Sequence, residues 1–376
     1  MIRRREFLQS SVAGAALATV WGCGEGKPKV EEATATRPKI EEAVKRIQQW
    51  VEEGKLSAAS LTVTQRDFAF QRPFGRAKSP DDIFLLASIT KPMTATGAMV
   101  LVDRGRLSLS DSVSKYIPEF NEGDRALITV KHLLTHSSGL PDQLPENIEI
   151  RKRLGPLSEF VKGTIKTPLL FKPGTQVKYT SMGLLLVAEV CERITKKPLR
   201  EHLEEVLYRP LGMTRTALGL GKFQIADTML SQAELAEANY GGIEGSNAWH
   251  WNSPYWRNLG APWGGAHSTG PNLTKLLRYF LKPDDRVLKP ETAASMIVNQ
   301  NVGLNEPWGI GWAKAKGKYC TACSGNGFGH EGSTGTMCWA DPEIDMTCVI
   351  LTTCPLRVSN DALLRPVSDL VAESAA

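Results

Sequence analysis

Strand-like segments stand near both ends of this chain with helix-like ones between them, and this limits the fold more than any single motif does. From Ala58 to Phe74 apolar and polar residues alternate in two runs, the spacing of half-buried strands. Far along the chain, Thr336-Met337-Cys338-Trp339-Ala340 and Thr347-Cys348-Val349-Ile350-Leu351-Thr352 read as a second pair across a turn at Asp341-Pro342-Glu343. An isolated two-stranded hairpin is marginal in water, so segments from the two ends are expected to share one sheet. Ile40, Val44, Ile47, Trp50 and Val51 form a helical stripe ending at Gly54, and a last helix is expected from Asn360 to Ala375. The predicted fold class is therefore α/β of the α+β type: an antiparallel sheet built from N- and C-terminal segments flanked by helices, beside an all-helical domain. The expected divisions are 37–78 and 291–372 for the sheet part and 79–290 for the mainly helical part, with a cleft at their junction.

Three short motifs follow in order. Ser88-Ile89-Thr90-Lys91 comes after the extended stretch Ile83 to Ala87 and opens a segment whose Met93, Ala95, Ala98, Met99, Leu101 and Val102 can fill one side of a helix. Ser88 and Lys91 then share the first turn, and Pro92 is tolerated there because an early helical position has no internal partner for an N–H. A serine hydroxyl is a poor nucleophile until a base takes its proton, and a lysine is that base only when desolvation or nearby positive charge lowers its pKa. Ser112 and Lys115 have the same spacing, but they lie in a polar stretch ending at Pro118 and read as a surface element. A capping serine beside a solvated lysine is the plainer reading of either pair.

Tyr179-Thr180-Ser181 follows the turn Lys172-Pro173-Gly174 and precedes the apolar run Met182 to Val190, which puts Tyr179 at a strand-to-helix corner where a phenol can face a cleft. The plainer alternative is a packed tyrosine with Ser181 as the helix cap. His330-Glu331-Gly332-Ser333 sits among glycines in a β setting. There His330 would offer a donor or a switchable charge, Gly332 would leave room for a substrate beside the strand, and the Ser333 N–H would be a second donor to an oxyanion.

Together these motifs resemble those of the penicillin-recognising serine hydrolases, a family of serine β-lactamases, D-alanyl-D-alanine carboxypeptidases, D-aminopeptidases and a group of carboxylesterases. Lys131-His132-Leu133-Leu134-Thr135-His136-Ser137-Ser138-Gly139-Leu140, Gly264-Gly265-Ala266-His267-Ser268-Thr269 and Trp308-Gly309-Ile310-Gly311-Trp312 resemble further landmarks, so the likeness runs from roughly Arg37 to Ala372. The resemblance implies Ser88 as the acylated nucleophile, Lys91 as its proton partner, Tyr179 as base or relay, Ser181 as a hydrogen-bonding accessory, and His330 where many members have Lys. It implies hydrolysis of a small-molecule or peptide substrate, a β-lactam, a D-amino-acid peptide or an ester, with no cofactor and no metal. Two departures point away from a strong β-lactamase: Ser181 stands where class C enzymes usually have Asn, and His330 replaces Lys. No Glu-x-x-Leu-Asn segment is present to supply a class A-type deacylating glutamate.

Other readings are weaker. Glu331 occupies the place where a Gly-x-Ser-x-Gly elbow needs Gly before Ser333. His132 and His136 have the spacing of a helical zinc pair, but Leu133 follows His132 where Glu is needed. A formal charge of +5 with interspersed signs gives no nucleic-acid surface. Tyr240 to Trp263 reads as a loop dense in aromatic residues, which either shape the cleft or simply hold the loop. A non-catalytic envelope binding protein, or a thiol or metal protein using Cys320 and Cys323, are the alternatives from other classes.

The N-terminus resembles a twin-arginine export signal at Arg4-Arg5-Glu6-Phe7-Leu8, then an Ala-rich run too short to anchor, then Val20-Trp21-Gly22-Cys23, which resembles a lipoprotein cleavage box. Residues 1–23 are thus expected to be a signal with possible lipidation at Cys23, residues 24–36 a tether, and the protein exported to the periplasm with a lipid anchor in reach. An oxidising compartment permits disulfides, and Cys320-Thr321-Ala322-Cys323 is the obvious candidate, either as a local bridge or as halves of pairs with Cys338 or Cys354.

Overall fold

The computed structural model describes residues 37–237, 241–242 and 248–375. The expected signal, the tether and Cys23 lie outside these residues.

Alternation produces the first hairpin, in which β1 (Ala58–Gln65) turns through Arg66, at a left-handed φ of 51°, into β2 (Phe68–Gly75). Short strands β3 (Phe84–Leu85), β4 (Ala217–Leu218) and β5 (Ala266–Ser268) form a sheet of their own in the order β3-β5-β4. Toward the C-terminus come β6 (Ala313–Lys314), β7 (Phe328–Gly332), β8 (Thr336–Asp341) and β9 (Met346–Thr352). The large sheet is antiparallel throughout, in the order β2-β1-β9-β8-β7-β6, so strands from the two ends of the chain meet where Val63 faces Cys348.

The helices, in chain order, are α1 (Pro38–Glu52), α2 (Thr90–Asp103), α3 (Val130–Leu134), α4 (Asn147–Lys152), α5 (Leu157–Lys166), α6 (Ser181–Thr195), α7 (Leu199–Leu203), α8 (Pro254–Leu259), α9 (Gly270–Leu281), α10 (Pro290–Ile297), α11 (Leu356–Ser359) and α12 (Arg365–Glu373). Successive residues of β9 go to opposite faces of the sheet: Ile350 joins the core under α1 and α12, while Val349 and Leu351 join the core shared with the helical region. Ile40, Val44 and Ile47 carry α1 onto the first face, each side chain giving about 2 kcal/mol by leaving water. On the other face α9 lies against β1, β8 and β9.

Three local expectations need correction. The helix carrying Lys91 is buried all round, from Thr90 to Leu101, rather than on one side. Its small residues let neighbours close in; a Cβ on Gly97 would come within 2.6 Å of the Leu203 side chain. The C-terminal segment is not one helix from Asn360 but α11, a wide π turn at Asn360–Leu364, and then α12, whose Pro366 has no N–H to extend a regular ladder backward. The stretch before Trp263 contains α8, started by Ser253, whose side chain accepts from the Trp256 N–H, with Pro254 in the first turn.

Candidate active site

Ser88 sits in a single tight turn, Ala87–Ile89, between β3 and α2. Ala87 holds φ at 48°, a left-handed conformation that a residue with a Cβ adopts only when its surroundings enforce it. Three threonine hydroxyls do so: Thr334 donates to the Leu85 carbonyl at 2.7 Å, Thr336 to Leu86 at 2.8 Å and Thr90 to Ala87 at 2.7 Å. Gly332 completes the clamp. A Cβ there would stand 2.1 Å from the Leu86 oxygen and 2.4 Å from Thr336 Oγ1, so this glycine makes room for the protein's own backbone, not for a substrate as its sequence setting suggested.

The Lys91 ammonium is wholly buried. Its Nζ lies 3.0 Å from Ser88 Oγ and 2.9 Å from the Trp263 carbonyl oxygen, and 4.6 Å from the centre of the Tyr179 ring. Burial brings its pKa down to about 7, with the Asp142 carboxylate working in the opposite direction. The competing pair goes elsewhere: Ser112 Oγ accepts from the Ser114 N–H as a cap, and Lys115 pairs with Asp111 at 2.8 Å.

Tyr179 precedes α6, and the cap of that helix is Thr180 rather than Ser181. The Tyr179 ring stacks at 4.8 Å from His136 and 6.1 Å from His330. Burial, then the charge of Asp142, pushes its hydroxyl well above the ordinary range, while a hydrogen bond with Ser88 opposes them. His136, itself at φ 60°, accepts the Thr180 N–H on Nδ1 at 3.1 Å and so fixes the approach to Tyr179. His132 is likewise structural: its Nδ1 accepts the Thr129 N–H at 3.2 Å in the box that starts α3. Among the described residues no cluster of His, Cys, Asp and Glu is arranged to hold a metal ion.

Ser181 donates from both its N–H, at 2.9 Å, and its hydroxyl, at 2.7 Å, to one oxygen of Asp142. Asp142 was missed in the sequence, although it directly follows the Gly139-Leu140-Pro141 turn. His330 donates from Nδ1 to the Glu331 carbonyl at 2.7 Å, which leaves Nε2 as a lone-pair acceptor with no partner among the described residues. Burial, then the charge of Lys91, lowers its pKa to about 3. His330 is therefore a neutral acceptor, neither the donor nor the switchable charge expected.

These groups converge on a cavity of about 330 Å³ lined by Ser88, Tyr179, Ser181, His330 and Ser333, with Asp142 and Arg151 beside them. Trp251, Trp256 and Trp263 contribute an aromatic wall, so part of the aromatic stretch shapes the cleft, while Trp249 is buried without lining the cavity. Cys320 and Cys323 are bridged to each other, with Cα atoms 5.6 Å apart, and Cys338 and Cys354 are free.

The description "Beta-lactamase" belongs to the family whose model matches residues 43–373. Esterase EstB of Burkholderia gladioli is 37% identical over 157 residues, 38% of this chain and 40% of EstB, so the match spans less than half of that relative. An Escherichia coli K12 protein provisionally named D-alanyl-D-alanine carboxypeptidase is 27% identical over 356 residues, 82% of this chain and 81% of that protein. In fold, the D-amino acid amidase of Ochrobactrum anthropi SV3 superposes with a TM-score of 0.69 at 21% identity, covering 89% of this chain and 98% of the amidase. The sheet sewn from both chain ends, the clamped Ser88 turn beside Lys91 and the family match over nearly the whole described chain lead to one conclusion: this protein belongs to the Beta-lactamase family and is a hydrolase of that fold.

Proposed function

We propose that the protein hydrolyses small esters and amides through an acyl-enzyme on Ser88. The observation that carries this reading is the buried Lys91 amine 3.0 Å from Ser88 Oγ, with its pKa near 7. At neutral pH about half of the molecules hold a free amine there, which takes the Ser88 proton as Oγ bonds to the substrate carbonyl. The Ser88 and Ser333 N–H groups receive the oxyanion. The leaving alkoxide or amine needs a proton as its bond to the carbonyl breaks. Tyr179, held as a neutral phenol, supplies it as a relay, and this supports the relay over a phenolate base. Water then attacks the acyl carbonyl, gives up a proton by the same route, and releases a carboxylic acid and free Ser88.

Ester and amide substrates with an apolar or aromatic acyl part suit the tryptophan wall. The neutral His330, standing where a lysine would attract a β-lactam carboxylate, supports this over efficient β-lactam turnover. Esterase EstB points the same way over the matched segment. The test is hydrolysis of p-nitrophenyl acetate by the wild type and by Ser88→Ala. Loss of at least a thousandfold in kcat/KM with unchanged thermal unfolding is expected. Comparable activity in the folded variant would overturn the proposal.

We further propose export by the twin-arginine route with lipidation at Cys23, on the strength of Arg4-Arg5 and the Val20 to Cys23 box. Periplasmic activity that disappears in an Arg4→Lys, Arg5→Lys double variant is the expected result. Undiminished export would refute the route, and a mature protein without lipid would refute the anchor.

A further inference from the structure

A buried guanidinium borders the cleft with two of its nitrogens unpaired among the described residues. Arg151, near the end of α4, is 3% exposed, and its Nε and Nη1 have no acceptor among the described residues. Its neighbours Lys152 and Arg153 reach outward to Glu149 and Glu159. Arg151 instead turns inward and lies 4.3 Å from the centre of the Trp256 ring and 5.8 Å from that of Trp249. Stacking fixes the plane of a guanidinium, but it accepts none of the in-plane N–H groups.

Arg257 shows how this fold treats an arginine that is only structural. It is equally buried, yet its Nε donates to the Trp251 carbonyl at 2.8 Å, Nη1 to Thr228 Oγ1 at 3.0 Å and Nη2 to Asn252 Oδ1 at 2.9 Å. A buried donor left unpaired costs about 1–3 kcal/mol, so two of them at the rim of a cleft mark a place where an acceptor arrives with a ligand. Burial disfavours the Arg151 cation, and Tyr255 and the Asp142 carboxylate work against that, yet no hydrogen bond joins Arg151 to Asp142 among the described residues; the Ser181 N–H and hydroxyl both donate to Asp142 Oδ1. On the other wall His330 offers only a lone pair, so it does not attract an anion.

We infer that Arg151 is a carboxylate subsite: the substrates of Ser88 carry an acidic group that docks on this guanidinium, while their apolar part lies along Trp251, Trp256 and Trp263. A carboxylate matches the planar fork with two parallel bonds. The inference rests on the Ser88 hydrolase reading for its substrate, and the experiment separates the two.

Hydrolysis of neutral p-nitrophenyl acetate is measured at pH 8, where most Lys91 is uncharged, with phenylacetate or its uncharged isostere phenylacetamide as competitor. In the wild type phenylacetate should inhibit at about tenfold lower concentration than phenylacetamide. The ratio should fall to about one in Arg151→Met and to an intermediate value in Arg151→Lys, which keeps the charge but not the fork. Because the ratio is taken within each variant, it does not depend on that variant's basal rate. Equal inhibition by the two competitors in the wild type, or an undiminished ratio in folded Arg151→Met, would overturn the inference. Should the wild type not cleave the neutral ester, the Ser88 reading fails; calorimetric binding of the same two compounds then still decides the role of Arg151.

Discussion

With Lys91 as the base, catalysis has to follow the loss of its proton. Burial places the pKa of this amine at about 7, so about a tenth of it is free at pH 6 and about nine tenths at pH 8. In the free enzyme kcat/KM for p-nitrophenyl acetate, read at a wavelength insensitive to nitrophenol ionisation, should rise about tenfold between these pH values and then level off. The histidines of the cleft add no limb of their own, because burial holds His330 near 3 and His136 well below its ordinary value. Glu331, whose carboxyl burial pushes up, is the group to exclude, and Glu331→Gln should keep the same limb. The same proton has a signature in stability. Between about 7 and 10.5 the folded protein holds fewer protons on Lys91 than the unfolded chain does, so stability rises with pH across that window. The contribution is about 1.4 kcal/mol per pH unit, lost in Lys91→Met and readable by urea unfolding. A flat kcat/KM from pH 6 to 8 in the wild type would refute the assignment of Lys91 as base.

Three further outcomes follow from the geometry. Gly332→Ala places a Cβ 2.1 Å from the Leu86 oxygen, so the β7 strand and the Ser88 turn must separate; a loss of about 1–3 kcal/mol in urea unfolding and about a hundredfold in kcat/KM is expected. Normal activity would show that the clamp is not needed. Asp142→Asn removes the carboxylate that favours the Lys91 cation, so the limb of the pH–rate profile should move to lower pH, and a shift upward would contradict the electrostatic account. Cys191, Cys338, Cys348 and Cys354 should resist alkylation in the native protein and react on unfolding, with Cys320 and Cys323 labelled only after reduction; peptide mapping distinguishes these sets.

The sheet was legible because Ala58 to Phe74 alternates and Thr336 to Thr352 reads as two strands across a turn, and neither hairpin is stable without further strands beside it. The closeness of Ser88, Lys91 and Tyr179 was legible because a serine and a lysine three positions apart at a helix start are neighbours and the tyrosine directly precedes an apolar run. What escaped was everything set by contacts between distant segments. The role of Gly332 depends on Leu86, a turn far away in sequence, and no local signal separates a glycine facing substrate from one facing backbone. The tautomer of His330 is fixed by the carbonyl of its own neighbour, which spacing does not reveal. Arg151 sits between Ile150 and Lys152 in an ordinary charged helix, and its inward position against Trp256 and Trp249 depends on a segment about a hundred residues later. Asp142 had the best signal of those missed, since a Pro-Asp pair after a glycine marks a turn that presents its carboxylate.

The most direct test is the covalent intermediate. The enzyme is mixed with a neutral aryl ester, quenched in acid within milliseconds to seconds, and weighed intact and after digestion. A mass increase equal to the acyl group, on the peptide carrying Ser88 and missing in Ser88→Ala, is the predicted result. Turnover of the ester with no acyl adduct on Ser88 at any quench time, together with hydrolysis that persists in Ser88→Ala, would contradict the account.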